Sequence, residues 1–324
     1  MKTVSLLIFN EVVPSSVTGV VDLLTGANSY MERIGEPKAF CIEMVSESTD
    51  NLHLTFPSQE IDIKTFRYAG HPDLIIVPSF SVSNMEHVIA QNSVTIAWLK
   101  EVHASGSEIA SLCVGSYFLA EAGLLDGKEV TSHWAAADDI QKRYPGLRMK
   151  SDLVITDQDG IYTSGGAFSS LKLVLYLIEK FCGRQTALWI SKMYAIEMDR
   201  TSQAHFAVFM GQHRHDDKEI LKAQEYIEQN YQTEITMDEV SGLVNMGQRN
   251  FIRRFKAATN NTPFEYLQRV RIESAKKAIE MNHKDLPFIM EDTGYHDLKA
   301  FRNIFKRITG LSPMEYKKKY ARTQ

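Results

Sequence analysis

Cys113 has the sequence surroundings expected of a nucleophile. It closes the run Glu108-Ile-Ala-Ser-Leu-Cys113, which reads as a buried strand, and a helical pattern follows from Gly115 to Ala122. A sharp strand-to-helix junction lifts a side chain above a sheet and sets a sulfur near helix N–H groups, which favours thiolate. His133 could serve as base, with Asp22 as the acid that orients it. The plainer readings are a small cysteine kept by packing and a hydrogen-bonded structural histidine. Three uses of this half therefore stay open. It could be a hydrolase or hydratase with Cys113 as nucleophile, a ligand sensor with the same pocket, or a structural dimerisation domain. The other cysteines, Cys41 and Cys182, lie far away and fit no zinc spacing. Neither a metal nor a cofactor is expected. His213 and His215 read as solvated linker residues.

A second kind of chemistry sits in the C-terminal third, where an internal repeat appears. Phe251, Phe255, Lys256, Thr259, Pro263, Glu265 and Tyr266 recur fifty residues later as Phe301, Phe305, Lys306, Thr309, Pro313, Glu315 and Tyr316. Each Phe pair at i, i+4 anchors one helix face, so the opposite face is free. The free positions are Gln248, Arg249, Ile252, Arg253 and Lys256 in the first copy. In the second they are Lys299, Arg302, Asn303 and Lys306. Arg pairs bidentately with guanine and Asn with adenine, whereas Lys256 and Lys306 near the helix ends suit phosphates. For any one Arg the plainer reading is a solvated charge.

The elements around these helices have legible signals. Thr262-Pro263-Phe264-Glu265 and Ser312-Pro313-Met314-Glu315 read as capping boxes, as does Thr236 with Glu239. A shorter helix and a tight turn precede each Phe helix, with Asn245 and Gly294 as left-handed turn residues. That is the helix-turn-helix plan, twice. A first helix, Lys218 to Gln229, precedes the pair. One long helix, roughly Pro263 to Met281, joins them by a stripe of Phe264, Leu267, Val270, Ala275, Ala278 and Ile279. Two reading helices so joined can enter major-groove segments about 34 Å apart.

Charge divides the chain in the same place. Residues 217–324 hold 19 Lys+Arg against 15 Asp+Glu, while residues 1–216 hold 17 against 25. A basic end on an acidic protein favours a nucleic-acid partner. At about 150 residues per domain, 324 residues imply two. We place the domains at 1–183 and 217–324, with a connecting helix and polar linker over 184–216 and a boundary near 215. Val4–Phe9, Ala39–Val45, Leu74–Val77 and Glu108–Cys113 read as buried strands, and Val94–Ala104 as a helix. Such alternation implies an α/β domain, a mostly parallel sheet with helices on both faces. The apolar N-terminal run is too short to span a membrane and the cysteines are few, so a cytoplasmic protein is expected.

The C-terminal repeat, its linking helix and the closing Gly310-Leu-Ser-Pro-Met-Glu-Tyr316 resemble the AraC/XylS regulators. The resemblance implies binding to double-stranded DNA. The run Leu112-Cys113-Val114-Gly115 through Lys128, then Thr131-Ser132-His133-Trp134 and Tyr162-Thr-Ser-Gly165-Gly166, resembles the PfpI-like domain, which is flavodoxin-like. It resembles in particular the branch fused to AraC-type modules, often termed GlxA-like. That resemblance implies a transcription activator, a small-molecule effector and a homodimer formed through the N-terminal domain. It implies an effector pocket from Asp22, Ser79, Phe80, Cys113, Val114, His133 and Trp134. Two departures argue against retained catalysis. PfpI-type peptidases carry His directly after the cysteine, where this chain has Val114, and Gly-Gly where it has Ser79-Phe80.

Overall fold

The computed structural model describes residues 1–48, 63–81, 85–281 and 285–321. The chain divides into two compact units, Met1–Gln203 and Ala204–Gln324. The division falls earlier than charge and polarity suggest. Part of the expected linker is a helix built into the first unit, and the rest belongs to the second.

The first unit runs β1 (Lys2–Leu7), α1 (Pro14–Arg33), β2 (Phe40–Ser46), β3 (Ile63–Thr65), β4 (Leu74–Val77), α2 (Met85–Gln91), α3 (Ser93–Ala104), β5 (Glu108–Ser111) and α4 (Ser116–Glu121). It continues with β6 (Glu129–Val130), α5 (Ala137–Arg143), β7 (Arg148–Met149), β8 (Ile155–Gln158), β9 (Ile161–Ser164), α6 (Leu171–Cys182) and α7 (Arg184–Met193). The main sheet has the order β3-β2-β1-β4-β5-β9-β8, parallel except for β8 against β9. β6 and β7 form a separate parallel pair. Leu74, Ile75, Ile76 and Val77 are all buried, as strands covered on both faces require. α7 packs on α1 and α6, and Tyr30 stacks on Trp189 with ring centroids 4.9 Å apart. Strand order reverses between β1 and β4, so the crevice typical of ligand sites in this topology lies beyond their C-terminal ends.

The second unit is helical: α8 (Lys218–Asn230), α9 (Met237–Leu243), α10 (Gln248–Thr259), α11 (Pro263–Glu280), α12 (Leu286–Asp292), α13 (Leu298–Thr309) and α14 (Pro313–Tyr320). It has two small cores. Ile220, Ala223, Ile227, Phe251, Phe255 and Tyr266 belong to one; Ile272, Ala275, Ile279, Phe301, Phe305 and Tyr316 belong to the other. The repeat therefore extends further than the sequence comparison shows. Ile220, Ala223 and Ile227 of α8 have counterparts in Ile272, Ala275 and Ile279 of α11, and the hydroxyl of Tyr266 donates to Glu228 as that of Tyr316 does to Glu280. α11 closes the first core with its N-terminal half and opens the second with its C-terminal half. The expected stripe is corrected accordingly. Phe264 is 56% exposed, and Tyr266 and Ile272 are anchors that it omitted.

No helix among the described residues is long and apolar enough to cross a membrane.

Candidate functional site

Each reading helix is held by the same local devices. Both Phe pairs are fully buried, and Phe255 and Phe305 meet Tyr266 and Tyr316 edge-on at 5.3 and 5.4 Å. Left-handed residues end the helices, Asn260 at φ 55° and Gly310 at φ 75°. The capping boxes at Thr262/Glu265 and Ser312/Glu315 are complete. The one expected at Thr236 is half formed. Thr236 accepts from the Glu239 N–H, but the Glu239 carboxylate accepts from the Tyr226 hydroxyl instead. The turn before α10 spans four residues, 244–247, and the turn before α13 spans five, 293–297. Asn245 and Gly294 take the left-handed conformation in them, at φ 53° and 76°.

On α10 the exposed side chains are Gln248, Arg249, Asn250, Arg253 and Lys256; on α13 they include Lys299, Arg302, Asn303 and Lys306. Ile252 does not belong with them. It is half-buried and packs against the first core, because it lies beside Phe251 on the flank of the apolar face. Asn250 is an addition, legible from its spacing to Arg253. Its Oδ1 accepts from Arg253 Nη2 at 2.8 Å, and the two line an open depression of about 640 Å³ with Gly247, Gln248 and Arg249. Arg254 faces the other way and grips Asp217, the N-cap of α8, at 2.7 Å. Among the described residues none of Arg249, Arg253, Lys256, Lys299, Arg302 and Lys306 forms an ion pair. Their charge is available to an anionic partner.

In the first unit Cys113 sits at a strained elbow. Its φ is 57°, a left-handed value that costs a non-glycine residue roughly 1–2 kcal/mol. Serine hydroxyls hold that backbone in place. The Cys113 N–H donates to Ser164 Oγ at 3.3 Å, and its carbonyl accepts from Ser132 at 3.0 Å and Ser116 at 3.2 Å. Gly115 lies so close to the carbonyls of Val77 and Pro78 that a Cβ would meet them at 2.7 and 2.9 Å. The sequence reading gave no sign of this serine network, or of Gln203. That side chain is buried, donates to the Ser132 carbonyl at 2.8 Å and accepts from the Gly166 N–H at 3.0 Å.

The expected acid and base do not assemble. Asp22 is exposed on α1, and its carbonyl accepts from the Tyr194 hydroxyl. The end of α1 that reaches the strand ends is Ser16, hydrogen-bonded to Ser79, and Asp22 lies ~9 Å further along the helix. His133 uses Nδ1 to accept the Ala135 N–H at 3.0 Å. The neutral ring then carries its proton on Nε2, so no free lone pair remains to take a proton. Burial pushes its pKa below the usual value, which keeps it neutral. Its ring lies against Gly166, where a Cβ would meet it at 2.1 Å, and beside Trp134 at 5.1 Å.

The crevice itself is filled. Phe9, Phe80 and Phe118 pack together with ring centroids 4.9–5.7 Å apart, and Phe80 is 2% exposed. Ser79, Cys113 and Val114 are also buried. Of the expected pocket residues, only His133 and Trp134 are half-exposed around the elbow.

The family comparison agrees with this architecture. The model of the DJ-1/PfpI family matches residues 3–180, more than half of the chain. The chain belongs to the DJ-1/PfpI family. A second model, described as a helix-turn-helix domain, matches residues 240–319, so this DJ-1/PfpI chain carries the AraC-type module that the repeat suggests. Relatives share the fusion. The HTH-type transcriptional regulator GbdR of Pseudomonas aeruginosa is 26% identical over 69% of this chain and 62% of its own length. The chain thus spans less than two thirds of that relative. The HTH-type transcriptional regulator GlxA of Rhizobium meliloti is 24% identical over 69% of each chain. A Vibrio parahaemolyticus crystal structure, described as a transcriptional regulator protein, is similar with a TM-score of 0.50. It shares 18% identity over 59% of this chain and 98% of that one, and shows the DJ-1/PfpI fold alone.

Proposed function

We propose that this protein is a sequence-specific, double-stranded-DNA-binding transcription regulator, an activator whose DJ-1/PfpI unit binds a small metabolite and forms the homodimer. The carrying observation is the repeated reading helix. Two copies of one helix-turn-helix plan each turn a cationic face outward from a phenylalanine-anchored core. The names of the relatives support regulation; activation, effector and dimer rest on the family resemblance. A dimer would double the two reading helices to four and raise affinity multiplicatively. The test is selection of bound duplexes from a random-sequence pool by the full chain. Recovery of no enriched sequence would remove the proposal.

Side-chain roles on α10 are separable. Arg253→Ala should cost about 1–3 kcal/mol on the selected duplex and relax one base position. Lys256→Ala should weaken all sequences about equally. Titrations against the selected duplex and single-base variants decide the point; equal behaviour of the two variants would refute the sorting.

The second reading, a hydrolase or hydratase using Cys113, draws on the left-handed elbow. The occupied Nδ1 of His133, the distant Asp22 and the phenyl-filled crevice weigh against it. Cys113→Ala should leave folding within about 1 kcal/mol, because the hydrogen bonds of the elbow are made by backbone atoms and Ala meets the same φ cost. DNA binding should persist. Small-molecule mixtures incubated with parent and variant, read by mass spectrometry, supply the contrast. Steady consumption that depends on Cys113 would establish the enzyme.

A further inference from the structure

Residues 204–216 read from sequence as a polar linker, yet they lie along both cores of the second unit. Their contacts follow one another in order. His205 is buried and its Nε2 is 3.2 Å from Lys319 Nζ of α14, whose ammonium also lies over the Phe206 ring; the turn Ala204–Phe206 packs on α13. The Ala207 carbonyl accepts from Lys276 Nζ at 2.6 Å, and the Phe209 N–H donates to Glu273 Oε2 at 3.1 Å. The Phe209 ring meets Tyr266 edge-on at 5.1 Å and lies under the Arg269 guanidinium. Gln212 accepts from Asn261 at 2.7 Å through its side chain and from Gln224 through its carbonyl. His215 completes the run on Gln224 at 2.8 Å.

The central contacts use an unusual pair. Glu273 and Lys276 are buried on α11 and bonded to each other at 2.8 Å. A buried ion pair recovers its desolvation cost only when its remaining valences are satisfied, and it is then better at fixing one arrangement than at adding stability. Here the remaining valences are satisfied by the backbone of this segment. The pair lies where α11 passes from the first core, at Tyr266 and Leu267, into the second, at Ile272 and Ala275. A free α11 could bend there, and the angle between α10 and α13 would change with it.

We infer that residues 204–216 are a strap that sets the angle between the two reading helices, with Glu273 and Lys276 as its positioning residues. The strap is also next in the chain to Gln203, whose amide holds Ser132 and Gly166 beside the Cys113 elbow. Rearrangement at the elbow therefore pulls on the strap through one peptide bond. The strap gives the regulatory reading a physical link, and its consequence for DNA rests on that reading.

The test uses the full chain with Cys41→Ser and Cys182→Ala, and spin labels on Arg249→Cys and Arg302→Cys. Pulsed dipolar spectroscopy reads the distance distribution between the two helices without DNA. One narrow distribution is expected in the parent. Two strap-release variants should each widen it at least twofold: Glu273→Gln with Lys276→Met, which leaves no buried charge, and Phe209→Ala, which leaves α11 untouched. An unchanged width in Phe209→Ala, or in the double variant if it folds, overturns the strap. The unlabelled proteins then bind the selected duplex with and without one base pair inserted between its two contacted segments. The parent should lose tenfold or more on insertion and the released variants less than threefold; equal losses also overturn it. Should the parent select no duplex, the DNA-binding proposal fails while the label distances still judge the strap.

Discussion

Raising the salt concentration from about 50 to 200 mM should weaken binding of the selected duplex by roughly 10³-fold, the effect expected when about six phosphates are neutralised. The six exposed cations on α10 and α13 set that expectation, since none is held in an ion pair among the described residues. Each contact made releases condensed counterions, and the gain from release shrinks as bulk salt rises. The measurement is a series of titrations by fluorescence anisotropy, plotted as log affinity against log salt. Lys256→Ala should lower the slope by about one, as removal of one phosphate contact requires. A nearly flat slope in the parent would show that these faces do not meet a nucleic-acid backbone, and the functional proposal would fall with it.

Two adjacent residues on α13 should behave in opposite ways. Phe301→Ala should cost about 3–5 kcal/mol of stability, because it empties the centre of a core that holds few large side chains. Phe305 and Tyr295 pack directly on that ring, with centroids 5.8 and 5.4 Å away, and cannot collapse far without moving α13. Arg302→Ala should leave stability within about 0.5 kcal/mol, as exposed positions usually do, and cost about 1–3 kcal/mol of binding. Hydrogen exchange by mass spectrometry reads the first effect, as lost protection over α12–α14 with α8–α10 largely retained. Titration with the selected duplex reads the second. If Phe301→Ala leaves protection unchanged, the second core is not the anchor of its reading helix. If Arg302→Ala unfolds the unit, the outward assignment is wrong.

The C-terminal half was legible because its signals are local. Helical periodicity, capping boxes and turn residues act within a few positions, and a fifty-residue repeat shows which of them belong together. The Phe pairs, Asn245, Gly294 and all the exposed cations were placed from sequence alone. Ile252 was misplaced because its burial depends on how far the first core extends around α10, which periodicity does not specify. The half-formed cap at Thr236 has a similar cause. Glu239 fits the cap pattern, and the Tyr226 hydroxyl of another helix takes its carboxylate.

In the first unit the long apolar strands β1, β2, β4 and β5 could be read, and so could the elbow, because strands buried on both faces announce themselves. The short strands β6 to β9 could not, since two to four residues carry no usable period. Sequence by itself thus determined the element types, the twofold repeat and which residue types stand at the elbow and on the reading faces. Only the tertiary structure decided what those residues meet. It moved Asp22 away from Cys113, because helix rise separates residues that lie close in sequence. It spent His133 Nδ1 on a backbone N–H and filled the crevice with Phe9, Phe80 and Phe118. It also turned a polar linker into a strap, because partners for its backbone come from α11, some seventy residues on, and no local pattern reports a contact made at that distance.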